Sequence, residues 1–310
     1  MRIQKAGAIT DQILLLGSRH GSMYLIMGDK YALLGGGVAW EVPRLEAQLD
    51  RFQIDRNRIQ YLVISHAHHD HCGAVPYLIA RYPHIQKIAS PYCTHILNKS
   101  QPVHLMREVN RKILESLNRP HFHDGISLDF RPLPIERQVA DGDRIELGGG
   151  LTLRFYLTPG HSRCSLTAYV PELKALFPAD ALPFPETGKR ELTVTANHDY
   201  DEYIRSLEKI EPLSIRLVGY EHDGVLTGEE AAAIIPKSLA ATHDQRHRIR
   251  KRYEELQDID LLVEEVAEKY RSLELFQPVP FDIMRAITKR MVKSALGLID
   301  PSKVNRSPKT

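Results

Sequence analysis

Ser65-His66-Ala67-His68-His69-Asp70-His71-Cys72-Gly73 is the stretch on which the reading of this chain turns. It follows the apolar run Tyr61-Leu62-Val63-Ile64, which reads as a buried strand, and precedes Ala74-Val75-Pro76-Tyr77-Leu78-Ile79-Ala80, which opens a helix. Imidazoles and a carboxylate crowded on one strand-to-helix turn repel when charged and are costly to desolvate. A fold gathers them where a cation offsets that cost. His66 and His68, two apart in extended chain, point the same way and can chelate one ion, while Asp70 and His71, beyond the turn, aim at a neighbouring position. The spacing predicts two adjacent metals.

The same arrangement recurs downstream. Leu151-Thr152-Leu153-Arg154-Phe155-Tyr156-Leu157 alternates as a strand and runs into Thr158-Pro159-Gly160-His161-Ser162. Ala175-Leu176-Phe177 leads to Pro178-Ala179-Asp180, and Ile215-Arg216-Leu217-Val218 leads to Gly219-Tyr220-Glu221-His222. Four strands thus deliver ligand-type residues at their ends, where a rigid sheet can hold a site built on variable loops.

The rest of the chain sets the frame. Short apolar runs at Ile13 to Leu16, Met23 to Met27 and Tyr31 to Leu34 are split by glycine-bearing turns and predict strands. Gly35-Gly36-Gly37 is a flexible turn or a place where the backbone passes close to something. Val42, Leu45, Leu49 and Phe52 carry helical spacing, and Gln86 to Ala89 is a further short strand. Leu105, Val109, Ile113, Leu114 and Leu117 predict an amphipathic helix within an insertion at about residues 98–140 that lids the site, and His121-Phe122-His123 inside it reads as loop. Tyr203 to Ile210 makes a helix of the kind that covers a sheet. From Gly228 the patterning is helical: Ala231 to Ala241, Ile249 to Tyr270 with few breaks, and Phe281 to Leu298. His243 and His247 lie one turn apart among Arg246, Arg248, Arg250, Lys251 and Arg252, a solvated basic face.

Forty-one basic residues nearly cancel thirty-nine acidic ones in 310, a net +2 that gives no reason to expect nucleic acid or an anionic membrane as partner. Fifteen histidines lean toward metal chemistry. Cys72, Cys93 and Cys164 show no paired spacing, which argues against a disulfide framework or a thiolate zinc site. The weakly apolar start and the lack of a span-length apolar stretch lead to the expectation of a cytoplasmic protein.

Taken in order, His-x-His-x-Asp-His, Gly-His-Ser, Ala-Asp and the final histidine resemble the metallo-β-lactamase superfamily over about residues 10–225. The resemblance implies an α/β fold, an αββα sandwich with two sheets between helices. It places the catalytic domain at 1–227, with the lid insertion, and a C-terminal helical extension at 228–310. By position it implies His66, His68 and His161 as ligands of a first metal, Asp70, His71 and His222 of a second, and Asp180 as bridging carboxylate, with Asp70 and Asp180 catalytic. The fuller run Ser65 to Leu78, together with the helical extension, is similar to di-iron acyl-CoA thioesterases of the superfamily. Two departures stand out. The usual Gly-His-Gly at the last ligand is Tyr220-Glu221-His222-Asp223-Gly224, so Glu221 competes for the role, and an aspartate common near the first glycine turn is replaced by Leu34-Gly35. Oxygen-reducing relatives usually carry an acidic residue where His68 stands.

The cofactors implied are two divalent metal ions, iron or zinc, with manganese compatible with the same nitrogen and oxygen donors. Two such ions sharing a water make hydroxide available near neutral pH, and the expected reaction is its attack on an ester or thioester carbonyl. Phe184 and Met284 are the candidate substrate contacts. A small-molecule phosphodiesterase is the competing enzyme reading, and a regulatory protein with a partner or homodimer surface on the C-terminal helices is the non-enzymatic one.

Overall fold

Alternation of apolar residues on the early strands places two cores on opposite faces of one sheet. The computed structural model describes residues 1–185, 191–273, 276 and 279–299. Its backbone forms two seven-stranded sheets. The first contains Gly7–Thr10, Ile13–Ser18, Gly21–Met27, Tyr31–Leu34, Ile59–Val63, Gln86–Ala89 and Arg137–Gln138, hydrogen-bonded in that order. Antiparallel hairpins give way to parallel pairing where Leu34 meets Val63 and Val63 meets Ile88. The second contains, in order, Arg2–Ile3, Val225–Thr227, Leu217–Gly219, Ala175–Phe177, Leu166–Val170, Leu151–Leu157 and Arg144–Gly148.

Ile13, Leu15, Tyr24, Ile26, Ala32 and Leu34 face the second sheet and form one buried core with Leu153, Phe155, Leu166, Ala168 and Phe177. The alternate residues Leu14, Leu16, Leu25 and Leu33 face outward and pack with the helices Val42–Arg51, Val75–Arg81 and Pro91–Leu97 through Val42, Leu45, Leu49, Leu78, Cys93 and Leu97. Period-two alternation thus serves both faces of one sheet. Each large aliphatic side chain so buried contributes about 1.5–3 kcal/mol relative to exposure. This is the sandwich expected from the sequence, with helices and a helical C-terminal region.

Two compact units divide the chain. Both sheets lie in the first, Met1–Leu157, Cys164–Asp180 and Leu213–Ala233. The second comprises Thr158–Arg163, Ala181–Pro212 and Ile234–Thr310. The helical unit therefore starts its C-terminal part at 234 instead of the 228 expected, and it also takes in 158–163 and 181–212, both expected in the catalytic domain; residues 300–310 lie outside the described residues. In the second unit the helix Tyr200–Ile210, expected to cover a sheet, packs with Ile234–Leu256 and Phe281–Ala295. The Tyr200 amide donates to Ser294 Oγ at 2.7 Å, and Arg250 Nε donates to the Ala295 carbonyl at 2.8 Å.

The helical run from Ile249 to Tyr270 has one break, between Leu256 and Ile259, where Gln257 turns to a φ of 53° and the Asp258 carboxylate caps the amides of Asp260 and Leu261. Two local expectations need correction. The insertion helix is Ser100–Ser116, and its buried face is Val103, Met106, Asn110, Ile113 and Leu114. Leu105 and Leu117 are exposed instead, because the stripe that packs runs through the polar Asn110. His121-Phe122-His123 is partly strand, Phe122–His123 pairing with Ile126–Ser127. His243 and His247 are exposed, as expected of a basic face, and that face is partly paired within its unit: Arg246 with Asp201 at 2.6 Å and Arg252 with Glu265 at 2.7 Å. Among the described residues no helix is long and apolar enough to cross a membrane. Cys72, Cys93 and Cys164 are buried thiols.

Candidate metal centre

The strand Ile59–Val63 ends three residues before the first histidine, and His66 emerges from the buried run Leu62 to Ser65. His66 and His68 follow in extended chain, and His66 Nε2 lies 3.0 Å from His68 Nδ1. The chain then closes a single helical turn, His69–Cys72, which lifts Asp70 and His71 toward the strand ends of the second sheet. There Ala179, at a φ of 49°, swings the chain after Ala175–Phe177 and sets Asp180 inward. His222 arrives on the turn between Leu217–Gly219 and Val225–Thr227.

In the first unit, ligand-type atoms of Asp70, His71 and His222 lie within 4.8 Å of one another, and so do those of His66, His71 and Asp180. Asp180 reaches two ways: Oδ2 is 3.3 Å from His71 Nε2, and Oδ1 is 3.9 Å from His222 Nε2. Asp70 Oδ2 is 3.6 Å from each of those nitrogens. The tautomers follow from the remaining contacts. His71 Nδ1 sits 2.6 Å from Glu221 Oε2, and His222 Nδ1 sits 3.0 Å from the His20 carbonyl, so each Nδ1 is the donor. The two Nε2 atoms, 3.0 Å apart, then oppose their lone pairs when both rings are neutral. A proton or a metal ion between them removes that conflict, and with the carboxylates of Asp70 and Asp180 alongside, the donor set fits divalent metal.

The titration behaviour agrees. Burial works against charge on His71, yet the carboxylates of Asp180 and Asp70 and its hydrogen bonds lift its pKa well above the ordinary imidazole value. His222 is raised as well, burial again being outweighed by Asp180 and Asp70. Asp70 is held well below the usual carboxylate range, because His71, His69 and His222 overcome the cost of its burial. Protons therefore stand in for metal. A raised pKa keeps the proton bound below it and releases it as pH rises, so metal uptake by metal-free protein is expected to expel protons and to go on tightening as pH rises above the ordinary imidazole value. Calorimetry in buffers of different ionisation enthalpy reads the proton count; uptake without proton release would refute the assignment of these rings.

His161 lies in the second unit, buried, with Nδ1 at 2.9 Å from the Thr195 carbonyl, which leaves Nε2 as the nitrogen it can offer a ligand. Phe184 and Met284 lie in that unit too, both buried, with the Phe184 ring 6.1 Å from that of Phe276. Three residues support the ligands, of which the sequence singles out Glu221 alone, and in another role. Glu221 does not stand in for His222; it holds His71. Cys164 Sγ accepts the Ala67 amide at 3.3 Å, bracing the residue between the first two histidines. Asp223 pairs with Arg2 at 2.8 Å and Arg19 at 3.0 Å and steadies the turn that carries Glu221 and His222. The adjacency of Glu221 to His222 was the one available signal; the others depend on contacts far apart in the chain.

Two sheets, flanking helices and a histidine-aspartate cluster at strand ends define a metal-binding α/β sandwich. The chain belongs to the metallo-beta-lactamase superfamily, whose family model matches residues 16–222. It is 31% identical over 173 residues to an anaerobic nitric oxide reductase flavorubredoxin of Pectobacterium carotovorum subsp. carotovorum, covering 56% of this chain and 28% of that protein. It is 25% identical over 169 residues to an atrochrysone carboxyl ACP thioesterase of Aspergillus fumigatus, covering 54% and 39%. The match thus spans well under half the length of both curated relatives. Among solved structures, a metallo-beta-lactamase family protein from Thermus thermophilus superposes with a TM-score of 0.61 at 17% identity, covering 93% of this chain and 94% of that one, a likeness of fold.

Proposed function

We propose that the protein is a dinuclear metal-dependent hydrolase acting on an ester or thioester, most specifically an acyl-CoA-type thioesterase. The observation that carries this reading is the convergence of Asp70, His71, His222, His66 and Asp180 on one cluster with two opposed imidazole nitrogens. His68 and His161 complete the first ligand set in the proposal, His161 by its place in the sequence pattern. When bound, two divalent ions supply a hydroxide at neutral pH and an electrophile for the carbonyl oxygen. The chain's own residues do the rest. Glu221 and the His20 carbonyl fix two rings with Nε2 inward, and Asp180 presents one oxygen to each side.

The thioester class is supported by the named activity of the fungal relative. It is supported also by the likeness of the run Ser65 to Leu78 to the Pseudomonas quinolone signal response protein, a 2-aminobenzoylacetyl-CoA thioesterase. That likeness favours iron; the donor set also accepts zinc or manganese. The apolar Phe184 and Met284 are proposed to face the acyl group. The test is thiol release from a panel of aromatic and aliphatic acyl-CoA thioesters, by protein reconstituted separately with Fe(II), Mn(II) and Zn(II), alongside an activated phosphodiester. Metal-dependent thiol release is the expected outcome; silence on every thioester with turnover of the phosphodiester would replace the assignment.

A further inference from the structure

The buried carboxylate of Glu221 is not part of either three-residue ligand grouping in the first unit, and burying such a group is costly unless it is paired. Its Oε2 is 2.6 Å from His71 Nδ1. The space it occupies is left open by Gly35: a Cβ there would come within 3.2 Å of Glu221 Cδ and 3.4 Å of Oε2. Gly35 also holds a φ of 87°, which a side chain seldom adopts. The backbone of the same turn is secured from three sides. Glu221's carbonyl accepts the Ser22 amide at 2.7 Å, Tyr24 Oη donates to the Tyr220 carbonyl at 2.6 Å, and Asp223 is paired with Arg2 and Arg19.

We propose that Glu221, seated in the volume opened by Gly35, is the positioning residue for His71, locking its ring with Nε2 toward the cluster and strengthening it as a metal ligand. His222, by contrast, rests its Nδ1 on a neutral carbonyl, that of His20. A carboxylate behind an imidazole both fixes the ring and raises its basicity as a donor. The charge of Glu221, and not only its bulk, therefore governs how tightly His71 holds an ion. This inference rests on the two-metal reading above.

The experiment is titration of metal-free protein with Zn2+ against a chromophoric chelator, for wild type, Glu221→Gln and Glu221→Met, with circular dichroism to check the fold. Gln keeps the shape and removes the charge; Met keeps the volume and removes the acceptor. Wild type is expected to take two equivalents, and both variants to lose affinity for one of them by about 10–100-fold, Met at least as much as Gln. Two equivalents bound with wild-type affinity by both folded variants would overturn the role of Glu221 and leave the two-metal reading standing. Wild type that takes up no zinc would overturn the two-metal reading itself.

Discussion

Asp180→Asn is expected to lower turnover of the metal-loaded protein by at least about a hundred-fold while the fold survives. The side chain is buried, so an isosteric amide keeps the packing, but it deletes the negative charge that serves both His71 and His222. An amide nitrogen cannot accept, so only one of the two directions now reached by oxygen remains usable. His71→Ala should be at least as severe, since His71 belongs to both first-unit groupings. A second readout separates loss of charge from loss of fold. Asp180 is the leading attractive contribution to the raised pKa of both rings, so metal-free Asp180→Asn holds its imidazole protons less tightly and releases fewer of them at neutral pH on metal uptake. Turnover and proton release that match wild type in a folded Asp180→Asn protein would remove Asp180 from the site.

Which parts of this centre can be read from the sequence follows from how local each signal is. His66, His68, Asp70 and His71 announce themselves because a buried strand and a ligand-rich turn are consecutive, and Asp180 and His222 repeat that pattern at other strand ends. Glu221 and His71 touch across 150 positions, and nothing in either neighbourhood names the other. The insertion helix was legible as a helix but not in phase, because packing chose the stripe through Asn110 over the one through Leu105 and Leu117. Boundaries between compact units were less legible still. Thr158–Arg163 and Ala181–Pro212 are contiguous with sheet strands in sequence, and only packing assigns them to the helical unit.

Gly36→Ala is expected to be as damaging to metal binding as removal of a ligand, although glycine has no side chain to contribute. The Gly35-Gly36-Gly37 segment could be read as a loose turn, yet it is stitched to the metal-bearing turn by backbone hydrogen bonds. Gly36 donates to the His71 carbonyl at 2.9 Å, Gly73 donates to Gly37 at 2.9 Å, and Ala74 donates to Gly36 at 3.0 Å. A Cβ on residue 36 would meet the His71 carbonyl oxygen at 2.5 Å, Val75 Cγ2 at 2.6 Å and the Cys72 Cα at 2.8 Å. Two of these are backbone atoms that cannot swing aside, so the strand end and the turn must part, and Asp70 and His71 move with the turn. Overpacking of this kind costs about 1–3 kcal/mol and sometimes more. In a domain of ~200 residues each kcal/mol lowers the melting temperature by roughly 2–4 °C. Gly150→Ala is the control: it adds a methyl at a φ of 77° with nothing within 4 Å, so it reports backbone strain without a clash. Gly36→Ala should lose stability and zinc affinity together, whereas Gly150→Ala should lose only stability. Wild-type melting and two tightly bound equivalents in Gly36→Ala would show that the glycine turn yields, and that the metal turn does not depend on its close approach.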